Sequence, residues 1–62
     1  MKVGVWEAAE RMLREYGLGA EDECESRASY HEMQGDPAVA EGWRRTKTLI
    51  RRLRCGERPP KA

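Results

Sequence analysis

The tripeptide Gly35-Asp36-Pro37 constrains this chain most, because it stops one helix and starts another within three residues. Glycine takes the left-handed position that ends a helix. Aspartate is a strong N-cap, and proline at N1 supplies a fixed φ and lacks an N–H that would be unpaired in any case. So short a connection turns the flanking helices back on one another as an αα-hairpin. The helix after it is expected over residues 37–55, where Val39, Trp43, Thr46, Ile50 and Leu53 follow at spacings of four, three, four and three, with Leu49 widening the seam.

The helix before the turn is expected over residues 20–34, with Ala20, Cys24, Ala28 and His31 on one narrow face. Its first turns carry Glu21, Asp22, Glu23 and Glu25, where the helix dipole favours negative charge. A first helix is expected over residues 3–16, from the helical spacing of Val5, Trp6, Ala9, Met12, Leu13 and Tyr16. Gly17 then stands as its left-handed terminator, with Leu18 folding back on the last turn. The expected architecture is an all-α domain at residues 1–56, three helices with a C-terminal αα-hairpin, followed by a short disordered tail at residues 57–62 that holds Pro59 and Pro60. The first helix should cross the hairpin through Trp6, Leu13 and Tyr16.

A chain of 62 residues buries only about 60% of the surface that its unfolded form exposes, so each large apolar side chain matters. There is no phenylalanine. The net charge of +1 conceals a division: the first 35 residues carry eight acidic side chains against four basic ones, and the remaining 27 carry three against eight. Such asymmetry marks either a polyanion-binding half or two helices that neutralise each other. Two cysteines are too few for a disulfide scaffold, and along the hairpin Cys24 and Cys55 fall roughly 10 Å out of step. Free thiols, and no apolar run long enough for a signal peptide or membrane span, point to a cytoplasmic protein.

Few chemistries fit. A metal site needs three or four converging ligands, and beyond carboxylates the candidates are Cys24, His31 and Cys55. His31 is the only base that titrates near neutrality, and Cys24, Ser26 and Ser29 are nucleophiles without a recognisable context. Neither a catalytic site nor a metal, cofactor or small-molecule substrate is expected in so small a chain.

The basic helix is the stronger signal. At 100° per residue, Arg44, Lys47, Arg51 and Arg54 form one flank of it, and Arg45 and Arg52 lie away from that flank. The first flank either meets phosphates or meets the acidic side of the preceding helix. Tyr30 and Met33 lie off the narrow face of that preceding helix, where an exposed aromatic and a methionine would make a protein contact. The expected function is that of a small non-enzymatic interaction protein, a bacterial or phage adaptor or inhibitor that binds a larger protein or a second copy of itself. Its expected contact residues are Tyr30, Met33, Arg44, Arg45, Lys47, Arg51, Arg52 and Arg54. The alternative is a nucleic-acid-binding module that uses the basic helix.

The segments "WEAAERMLREYG", "RASYHEMQGD" and "GWRRTKTLIRRL" together resemble a family of very short alphaproteobacterial helical proteins of unknown function. Trp6, Ala9, Arg27, Ala28, Gly35, Asp36, Trp43, Ile50 and Leu53 carry the resemblance. Thr46 departs from it, standing where an aliphatic residue belongs, and so do the acidic "AEDECE" and the basic "RRTKTLIRRLR". The resemblance implies three helices and no activity.

Overall fold

The computed structural model describes residues 3–56. The expected disordered tail at residues 57–62 lies outside them. Helix α1 spans Val3–Tyr16, α2 spans Ala20–Met33 and α3 spans Pro37–Arg54, with a 3₁₀ turn over Gly17–Gly19 and no strand among the described residues. Gly17 has φ +56°, but the Ala20 N–H donates to the Gly17 carbonyl, so helical backbone continues through the turn into α2. The described chain therefore makes two continuous helical runs, residues 3–33 and 37–54, where three separately ended helices were expected. Leu18 does not fold back on α1: it is 90% exposed on the outside of the bend.

The true break is at Gly35. Its φ of +84° lets the Gly35 N–H reach the Glu32 carbonyl at 3.1 Å and the Asp36 N–H reach the His31 carbonyl at 2.8 Å, the paired bonds of a Schellman ending. The side-chain cap expected of Asp36 is not made: the residue occupies the N-cap position of α3 without a side-chain hydrogen bond. Its backbone joins the two helices instead, because the N–H closes α2 and the carbonyl accepts the Ala40 N–H at 3.1 Å.

The hairpin closes on small side chains. Ala20, Cys24 and Ala28, four residues apart, are fully buried on α2, and α3 presents Ala40, Thr46, Leu49 and Ile50. Trp6, Ala9 and Met12 bring α1 onto them, with Val5, Leu13, Trp43 and Leu53 packed partly buried around the cluster. Thr46 is accommodated there because its hydroxyl donates to the Gly42 carbonyl at 3.0 Å. The expected α3 seam is thus rotated. Thr46, Leu49 and Ile50 are buried as expected, but Val39 is 44% exposed, Trp43 and Leu53 are only half-buried, and Ala40 goes inside. Val39 faces Gly4 and Ala8 of α1, which have too little side chain to cover it. Tyr16 is also outside the core, at 40% exposure, because its hydroxyl accepts a hydrogen bond from Arg27 Nη2 at 3.0 Å.

Candidate binding surfaces

The two helices of the hairpin are laced by charge. Glu21 of α2 takes Arg51 Nε at 2.6 Å and Arg54 Nη1 at 3.2 Å. One turn on, Glu25 takes Lys47 Nζ at 3.2 Å, and Arg44 reaches Glu32 at 2.7 Å and Glu25 at 3.8 Å. Rising numbers on α2 meet falling numbers on α3, as antiparallel helices require. Lys47's hydrogen bond holds the Glu25 carboxyl below its ordinary pKa, and the bond to Glu32 raises that of Arg44. Arg54 also donates to the Gly17 carbonyl at 2.8 Å, fixing the bend between α1 and α2 to the end of α3.

Arg44, Lys47, Arg51 and Arg54 are thus brought together on the flank that meets α2. Arg45 and Arg52 are exposed elsewhere on α3, with Arg45 Nε 3.3 Å from Glu41 of the same helix. Tyr30 and Met33 lie near the C-terminal end of α2, 60% and 86% exposed, and the Tyr30 ring meets the His31 ring edge-on with centroids 5.3 Å apart. The eight expected contact residues therefore do not form one surface.

Arg27 ties all three helices. Its Nε is 2.9 Å from Glu23, and its guanidinium stands 4.9 Å from the centre of the Trp43 ring and 5.7 Å from that of Tyr16. The hydrogen bond that it donates to Glu23 raises its pKa. Cys24 is buried and Cys55 exposed, both as free thiols. Burial pushes the Cys24 thiol up, against the opposing pull of Arg27. No group of three or more His, Cys, Asp or Glu side chains among the described residues could hold a metal ion. Nor is any described helix long and apolar enough to cross a membrane.

One surface was not expected as such, although Arg45 and Arg52 at its rim are among the expected contact residues. Two adjoining hollows of about 320 and 430 Å³ share Val5 and run between α1 and α3. The larger is floored by Gly4, Ala8, Val39, Gly42, Trp43 and Thr46, and the smaller by Thr48 and Leu49 between Arg45 and Arg52. Its signal in the sequence is faint, a matter of small residues at helical spacing: Gly4 and Ala8 on one helix, Gly42 and Thr46 on the other.

Comparison with protein-family models, with curated proteins and with solved structures finds no match for this chain.

Proposed function

We propose that this protein is a non-enzymatic interaction protein, an adaptor or inhibitor that works by covering a surface on a larger protein. The observation that carries the reading is a contrast. Four of the six basic side chains on α3 are engaged by carboxylates of α2, whereas the large apolar side chains of Tyr30 and Met33 stand in solvent. Exposed aromatic and methionine side chains anchor protein contacts, and residual charge steers the encounter. Kinship with the short helical family that the sequence resembles belongs to the same proposal and adds no activity to it.

A nucleic-acid-binding role is the second reading, favoured by the exposure of Arg45 and Arg52. The two differ in their response to salt and nuclease. The tagged chain, incubated with a lysate of its own host, should retain a protein that survives nuclease and high salt. Retention of nucleic acid alone, falling log-linearly with salt at roughly 0.9 in slope per phosphate contact, would replace the first reading with the second.

A further inference from the structure

From the groove between α1 and α3 we infer a docking slot for one acidic amphipathic helix of another protein. Three observations on the groove converge. Its floor is apolar, with Val5 and Trp43 partly exposed between the helices, the buried Leu49 beneath, and Val39 exposed at its edge. Gly4 and Gly42 border it, and a Cβ built on either would meet nothing within 4 Å. Neither has a positive φ, so no turn and no internal contact calls for glycine at either place, and glycine within a helix carries a propensity cost. What they leave is room for a helix from outside to come close to the backbone of α1 and α3.

The rim identifies the occupant. Arg45 and Arg52 line the groove seven residues apart on α3, two turns or about 10.5 Å along the axis. A helix lying along the groove with Asp or Glu two turns apart meets both. The pair between Arg45 and Glu41 gives way easily, being exposed on both sides and joined within one helix. A second copy of this chain fits less well. Groove-to-groove pairing sets the arginines of one copy against those of the other.

The slot rests on the reading of the protein as an interaction module but not on Tyr30 and Met33, so the two are tested apart. The probe is a phage-displayed library of amphipathic helices with apolar residues fixed at i, i+3, i+4 and i+7 and the other positions drawn from Glu, Lys, Gln and Ser. It is panned on the full chain. The enriched pool should carry Glu two turns apart, and Arg45→Glu with Arg52→Glu should weaken its binding by roughly tenfold or more. Gly42→Ala should raise the melting temperature, since it adds helix propensity in open space, and should weaken the same peptides several-fold. Tyr30→Ala with Met33→Ala should leave peptide binding unchanged, whatever it does to capture of a partner from lysate. The inference is overturned by a library that yields no binders, by a pool that is basic or indifferent to the charge reversal, or by a fall in melting temperature for Gly42→Ala. It is also overturned if the chain dimerises and Gly42→Ala abolishes the dimer, which would make a second copy the occupant.

Discussion

At the scale of single residues, the two tryptophans and the two cysteines each divide into an inner and an outer member. Trp6 is buried among Ala9, Met12 and Ile50, whereas Trp43 is half-buried with Arg27 over its ring. In a domain of marginal stability, Trp6→Ala should cost about 3–5 kcal/mol and leave the chain largely unfolded. Trp43→Ala should cost less, about 1–3 kcal/mol, and leave a measurable unfolding transition. Circular dichroism melts of the two variants check the order; equal losses would return Trp43 to the core seam that its spacing suggests. The cysteines offer a simpler assay. A thiol reagent at neutral pH should label Cys55 at once and Cys24 only as the chain unfolds, because the Cys24 thiol is buried and its pKa raised. Equally fast labelling of both would mean that the α2–α3 contact opens readily.

At the scale of elements, the hairpin joins a local signal to a distant one. The break at Gly35-Asp36-Pro37 is legible in the sequence because it is made by backbone preferences that act within three residues. The pairing of acidic α2 with basic α3 is legible as a balance of charge, and helical phase separates the flank of Arg44, Lys47, Arg51 and Arg54 from Arg45 and Arg52. The bend at Gly17 is harder to read, since the same glycine that can end a helix can also start a single 3₁₀ turn that leads on into the next. Exposure of Val39 and Tyr16 depends on which residues of another helix lie opposite, which spacing within one helix does not encode. The ion pairs have a pH signature whose sign is fixed. Because the folded state depresses the pKa of Glu25, its pair with Lys47 contributes fully above the ordinary glutamate value of about 4.3 and is lost as pH falls from there through the folded value. The melting temperature should therefore drop on acidification through that range, and Glu25→Gln should flatten the drop. An unchanged pH profile in the variant would show that the pair adds nothing to stability.

At the scale of the whole molecule, the helical fold leaves two surfaces that local rules do not join. The Tyr30 and Met33 surface was open to sequence reasoning because both residues fall off the narrow face of α2. The groove was not, because it is built from what Gly4, Ala8 and Gly42 lack, on two helices that only the tertiary fold brings side by side. Most of α3's basic charge is paired internally while apolar side chains are exposed, and recognition is proposed to run through the latter. The most direct test is capture from nuclease-treated host lysate by the wild type and by a Tyr30→Ser, Met33→Ser variant whose helicity and melting temperature match it. The account predicts that a protein retained by the wild type in high salt is lost from the variant. Retention of that same protein by both would contradict it.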